Sequence, residues 1–413
     1  MAEVSAFRGI HYEPAVVQLE TVLAPPYDVI GPQLQLELYG RAMQNVVRIE
    51  LGRDFDDDVQ GERDRYTRAR DHLDAWLEQG VLVQDAQPSV YVHRHSFRPP
   101  GGGGPRERLG CFVGVEPVPH ERREVLRHEL TMTAPRADRL RLLQATKVQT
   151  SPVFLLYEDQ VEVTRVLEQV ISMERPFAEA VVEGEYGSER HQLWQVADPE
   201  TVGRITAGLS QTRLFIADGH HRYETALNLG LRQVLALVSP LDDAGNVILP
   251  IHRVVPQASA GLDRLAETLA RRGWQTAAVA ELSAALAQVD SRREEAHTFA
   301  MVGSAGNWVV SRPRQEEVGS PRLGLDVTVL ESEIIEPLLG VGTGGAAAGR
   351  LLYTRDPQEA VELALAQDGV AFLVNPTTVA EVAAVALAGE AMPQKSTYFF
   401  PKVPAGLVIL GIE

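Results

Sequence analysis

Short apolar runs and helical patterns alternate along this chain, and that alternation excludes an all-α or an all-β fold. Toward the C-terminal end the segments RLLYTRD, QEAVELALAQ, VAFLVN, TVAEVAAVALAGE, STYFFP and AGLVILGI read β-α-β-α-β-β. Such an order implies at least some parallel strand pairing. Upstream, DRYTRARDHLDAWLEQG places Tyr66, Ala69, Leu73, Trp76 and Leu77 at helical spacing and stops at Gly80. SVYVHRHSF and LGCFVGVEPV read as two strands joined across RPPGGGGPRER, where ordered structure is not expected. PRADRLRLLQATK reads as a helix entered through Pro135, and PVFLLY and QVLALVSP as strands. VVQLETVL and NVVRIELG read as extended, the second as a buried strand, and APPYDVIG as a turn stiffened by two prolines. The expected class is α/β, α+β mixed. A length of 413 residues, at roughly one domain per 150 residues, suggests two or three domains. The division expected is 1–256 and 257–413, with an anion-binding element at 214–227 and a segment at 392–402 supplied by the second region.

Charge narrows the function. The net charge is -17, from 56 acidic and 39 basic residues. A protein that mainly tracks nucleic-acid phosphates needs the opposite balance, so a nucleic-acid partner is not expected. The single cysteine, Cys111, lies in a strand pattern and has no partner for a disulfide, so it reads as core packing. No run approaches 18 uninterrupted apolar residues, and the first residues lack a signal-peptide pattern. A cytoplasmic protein without a membrane partner is the expectation.

The densest chemistry lies in IADGHHRYETAL, directly after the apolar run Leu214–Phe215–Ile216. The strand ends near Ile216, Asp218 has the residue type of an N-cap, Gly219 permits a tight turn, and a helix begins near His220. The first N–H groups of a helix have no partner within it and, with the helix dipole, attract an anion. Arg222 adds a planar, two-pronged donor for phosphate or carboxylate. His220 and His221 are adjacent, so they point about 100° apart and do not chelate one ion as an i, i+4 pair does. A phosphate-facing role suits them better than zinc.

Three further stretches offer polar side chains without a packing reason. RHELTMTAPRADRL supplies Arg127, His128, Glu129, Thr131 and Asp138, with Glu129 placed to act as a general base or to orient one. GEAMPQKSTYFFPK has the frame of a P-loop, but Pro393 and Gln394 remove the needed glycine flexibility and STYFFP continues as a strand rather than a helix. It is not a P-loop, although Lys395, Ser396, Thr397 and Lys402 remain phosphate-contact candidates. APPYDVIG brings Tyr27 and Asp28. His252 and Arg253, in LPIHRVV, alternate to opposite faces of a strand.

In one order over almost the whole chain, APPYDVI, NVVRIELG, RHELTMTAPRADRLRLLQAT, SPVFLLY, IADGHHRYETAL, VILPIHRVV, LDVTVLESEIIEPLLG, FLVNPT and MPQKSTYFFPK resemble the bacterial and archaeal family known as domain of unknown function 1015. More widely, the strand, glycine turn and helix at Gly219, His220, His221 and Arg222 are similar to the phosphate-binding element of the ParB/sulfiredoxin-like superfamily. That resemblance implies a ParB/sulfiredoxin-like core with a C-terminal α/β region. Gly219 is followed by no cysteine, so sulfiredoxin-type thiol chemistry is not implied. The string DGHHR is closest to the kinases that phosphorylate free serine. Where this family usually has a lysine, this chain has Leu130.

The resemblance and the residues together imply a phosphoryl-transfer enzyme acting on a small metabolite, serine or phosphoserine first. Glu129, His128 and His221 are the expected catalytic groups. Asp218, Gly219, His220, Arg222, Tyr27, Asp28, Arg127, Lys395, Ser396, Thr397 and Lys402 are expected to bind phosphate or substrate. ADP or ATP and Mg²⁺, the latter near Asp218, are the cofactors to consider. The alternative is a regulator that binds a nucleotide or phosphometabolite without turnover.

Overall fold

The computed structural model describes residues 1–130, 133–158, 162–258, 261–314, 319–342, 344–346 and 348–412. It is an α+β fold in two compact units. The first comprises Met1–Val247 and Phe400–Glu413, and the second Ile248–Phe399. The division therefore falls before residue 256, and the last segment of the chain returns to the first unit.

The first unit is built on a nine-stranded sheet. Its principal strands are β1 (Val90–Phe97), β2 (Arg106–Val115), β3 (Val153–Tyr157), β4 (Gly187–Val196), β5 (Leu214–Asp218) and β6 (Val234–Pro240). β1 and β2 form the expected antiparallel pair on either side of the glycine-rich stretch. β6 runs parallel to β3, and β5 parallel to the short strand Val125–Leu126. One face of the sheet carries Val90 and Val92, Cys111 and Val113, Leu155, Trp194 and Ile216 into a continuous core. Every second residue faces that core, the period of two that a sheet imposes. Cys111 is fully buried there, and burial pushes its thiol far above the usual range.

Two stretches read as extended are helical. Leu19–Val22 forms a short helix, as does α1 (Val47–Glu50). Their apolar, β-branched composition favours a strand, but tertiary hydrogen bonds decide otherwise. The buried Asn45 side chain accepts from Val47 N at 3.0 Å and donates to the carbonyls of Thr21 at 2.7 Å and Leu23 at 3.1 Å. Tyr27–Val29 is a single 3-10 turn, as the two prolines before it suggest. Two longer helices frame the site, α2 (Thr133–Thr146) and α3 (His220–Asn228).

In the second unit the expected parallel pairing is absent among the described residues. Its six-stranded sheet pairs antiparallel throughout the described register. Leu352–Thr354 and Val370–Leu373, joined by the helix Pro357–Ala366, flank His252–Val255 instead of pairing with each other. The strand-helix-strand unit is present, but a third strand is inserted between its strands. His252 and Arg253 are both buried here, and Arg253 pairs with Glu331 at 3.2 Å. Among the described residues no helix is long and apolar enough to cross a membrane.

Candidate functional site

The junction of β5 and α3 is formed by Asp218 and Gly219. Pairing of β5 with β3 shifts register between Ile216 and Asp218, an irregularity that re-aims the side chain at the strand end. Gly219 is the N-cap, at φ 90° and ψ 26°, and has no side chain with which to cap the helix. This corrects the expectation that Asp218 is the cap. Its carboxylate is instead held by Arg222 Nη2 at 2.7 Å and by Lys402 Nζ. Burial alone would raise the Asp218 pKa, but Lys402 and then Arg222 outweigh it and hold the carboxylate far below the usual range. Burial likewise works against the charge of Arg222, while Asp218, Asp28, Tyr27 and Glu50 sustain it and raise its pKa.

The helix is fixed to the sheet from behind. Tyr223 is fully buried, and its hydroxyl accepts from Val118 N at 2.9 Å and donates to Val118 O at 3.0 Å. Arg127 pairs with Glu224 of the same helix at 2.8 Å, and His120 meets that carboxylate at 3.2 Å. Arg127, expected at the ligand, therefore anchors α3. His220 is buried and stacks edge-on against buried His128, with ring centroids 4.7 Å apart. Burial, then His128, pushes His220 well below the usual histidine range, and burial brings His128 down to about 4. Burial thus disfavours a charge on either ring. His221 is half-buried, and its carbonyl accepts from Thr225 Oγ1 at 2.8 Å. Glu129 is half-buried beside His128, and Thr131 lies outside the described residues.

Residues from the start of the chain meet this junction. Glu50, at the end of α1, is 1% exposed and accepts from Ser151 Oγ at 2.9 Å, Thr150 Oγ1 and Tyr27 N at 3.3 Å. Arg139 of α2 donates to Glu50 O at 2.8 Å and lies over the Tyr27 ring, 4.0 Å from its centroid. Asp138 steadies Arg139 and also takes Arg65 at 2.6 Å and Tyr66 at 2.9 Å. Burial pushes the Tyr27 hydroxyl up to about 12, with Arg222 and Arg139 opposing and Asp28 and Glu50 assisting. Asp28 is exposed. Glu50, Arg139, Thr150, Ser151 and Arg222 line a small pocket of about 50 Å³.

The first unit thus gathers Tyr27, Asp28, Asp218, Gly219, Arg222 and Lys402, and adds Glu50, Arg139, Thr150 and Ser151, which the sequence reading missed. Lys395, Ser396 and Thr397 belong to the second unit. There the Ser396 hydroxyl donates to Pro393 O at 2.6 Å.

The family described as "Protein of unknown function (DUF1015)" matches residues 4–328. The chain belongs to this family. In this DUF1015 protein Lys402 lies beyond the matched span, while Asp218 and Arg222, which it joins, lie inside it. Comparison with curated proteins finds no match. Among solved structures the chain is similar to a point mutant of a free serine kinase in complex with AMP, at 14% identity and TM-score 0.38, over 75% of this chain and 96% of that one. It is also similar to a conserved hypothetical protein from Pyrococcus furiosus, at 13% identity and TM-score 0.35, over 72% of this chain and 95% of that one. A third is SbnI with a C-terminal truncation, from Staphylococcus aureus, at 14% identity and TM-score 0.35, over 71% of this chain and 85% of that one.

Gly219 gives this site a direct test. A Cβ built there meets Arg222 Nε and Nη2 at 3.0 Å, and φ of 90° is strained for any residue with a side chain. Gly219→Ala is expected to cost about 1–2 kcal/mol of stability from backbone strain. It should also displace the Arg222 guanidinium. Chemical denaturation reads the first effect and inorganic phosphate titration the second. A variant as stable as the parent, with unchanged phosphate affinity, would contradict the geometry.

Proposed function

We propose that the DUF1015 protein is a phosphoryl-transfer enzyme on a ParB/sulfiredoxin-like core, acting on a small hydroxylated or phosphorylated metabolite. The observation that supports it is the meeting of Arg222, Lys402 and the N-terminus of α3 around one carboxylate, Asp218, which bears one charge against their two. The two cations and the N–H groups of the first turn suit a phosphate. Phosphoryl transfer asks mainly for positioning and charge stabilisation, and these groups sit at the end of β5, on the first turn of α3 and on the segment after Phe400.

In this reading Arg222, Lys402 and the backbone of Gly219–His221 hold the phosphate. His221 stands next to it on the first turn of the helix. Glu129 and the exposed Asp28, whose charge is felt by Arg222, are the two candidates for accepting a hydroxyl proton. The likeness of DGHHR to the serine-phosphorylating kinases makes serine or phosphoserine the first substrate to offer, with ADP or ATP as the nucleotide and Mg²⁺ as the counter-ion.

The purified chain, given Mg²⁺ with ATP and serine, with ADP and serine, and with phosphoserine alone, should move phosphate in at least one mixture. Phosphorus NMR follows the transfer. No movement in any of them, with phosphate binding retained, would leave the regulatory reading, in which the same site binds a phosphometabolite without turnover.

A further inference from the structure

The nine-stranded sheet carries a second cluster of titratable groups that the anion site does not use. β1 supplies His93 and His95, and β4 supplies Glu189 and His191. Each pair is two residues apart, so each projects from a single face of the sheet. The register places His191 opposite His95, and His95 opposite Arg108 of β2. All five side chains are buried.

The distances have the form of a ligand set. His95 Nε2 lies 3.0 Å from Glu189 Oε2, and His191 Nε2 lies 3.8 Å from the same oxygen. One donor atom from each of the three residues falls within 4.8 Å of the others. Two donors on a tetrahedral Zn²⁺, at bonds of about 2.0–2.1 Å, stand about 3.3 Å apart. The two observed separations bracket that spacing.

A second observation is independent of the spacing. His191 Nε2 is buried and has no hydrogen bond among the described residues, while its Nδ1 lies 3.1 Å from His93 Nε2. With the ring proton on Nδ1, His191 donates to His93 and turns the lone pair of Nε2 toward the Glu189 carboxylate. A ligating histidine characteristically donates its other N–H to such an outer partner. Two acceptors facing each other in a buried place repel unless a cation joins them.

We propose that His95, Glu189 and His191 bind a divalent transition-metal ion of the Zn²⁺ type, with His93 orienting His191. Three protein ligands leave a fourth position for water or a ligand, as in open zinc sites. Arg108 competes with the ion. Its Nη2 lies 3.0 Å from His95 Nδ1 and 3.1 Å from Pro401 O. Arginine only donates, so while the first contact stands, His95 carries its proton on Nε2 and gives it to Glu189. Metal entry moves that proton to Nδ1, and Arg108 keeps only the Pro401 carbonyl.

The test uses the untagged full chain, stripped with a chelator and titrated with Zn²⁺ in a calorimeter, with elemental analysis after dialysis. One equivalent of Zn²⁺ per chain is expected, and Co²⁺ in its place should show the visible absorption of a tetrahedral ion. His191→Ala and Glu189→Gln should weaken binding by at least about 100-fold, and His93→Phe by about 10–100-fold. Arg108→Met should tighten it. Wild-type protein that retains no Zn²⁺, or that gives no tetrahedral Co²⁺ spectrum, overturns the proposal whether or not the variants fold. Uptake that a folded His191→Ala variant retains in full also overturns it.

Discussion

Asp218→Asn is expected to lower stability by about 3–5 kcal/mol, the cost of removing one partner from a buried ion pair. The carboxylate is shared by two cations whose side chains are only 11% and 10% exposed, Arg222 and Lys402. Asparagine keeps the shape but leaves two like charges facing one carbonyl. Urea denaturation measures the difference. Its pH dependence follows from the sign of the shift. The Asp218 pKa is depressed in the folded state. Its contribution is therefore complete above the ordinary aspartate range, near pH 4, and is lost as pH falls through the folded value. The stability gap between parent and variant should be constant near neutrality and narrow only in strong acid. A gap that closes above pH 5 would mean that Asp218 is not the group holding these cations. The same variant should bind inorganic phosphate more tightly, because Arg222 and Lys402 are no longer neutralised by a resident carboxylate.

Replacing the general base should reduce turnover by roughly 10²–10⁴-fold, the range for loss of positioned proton transfer, with KM nearly unchanged. Glu129→Gln and Asp28→Asn separate the two carboxylates. Asp28 is exposed, whereas Glu129 is half-buried beside the buried, neutral His128. The substitution that lowers kcat while phosphate affinity holds identifies the base. If phosphate transfer is established and both variants keep the parent kcat, neither carboxylate takes the proton and the assignment fails.

The strand-to-helix junction was legible in the sequence because its signals are local. An apolar run, a glycine that tolerates positive φ and a helix with Tyr223 and Ala226 on one face specify it within a dozen residues. Glu50 was not legible, for an instructive reason. VVRIELG has the composition of a strand, and only Asn45, bonded to Thr21 and Leu23, turns it into a helix. A carboxylate in an otherwise apolar run was the available signal, since such a group is buried only with partners. Those partners, Thr150 and Ser151, lie a hundred positions away. Arg127 shows the reverse case. It sits in a polar string that reads as chemistry, yet its partner Glu224 makes it an anchor. The pair His93/His95 was visible as residues two apart in a strand pattern, but no local pattern tells that the strand carrying Glu189 and His191 is its neighbour.

The order of the chain also sets an order of assembly. Asp218 and Arg222 are made before the second unit, Ile248–Phe399, and Lys402 after it. At roughly 5–20 residues per second, the first unit emerges from the ribosome on the order of ten seconds before its lysine does. During that interval Asp218 and Arg222 are present without Lys402. The proposed affinity for phosphate would then be completed only when the 400–413 segment brings Lys402 to Asp218.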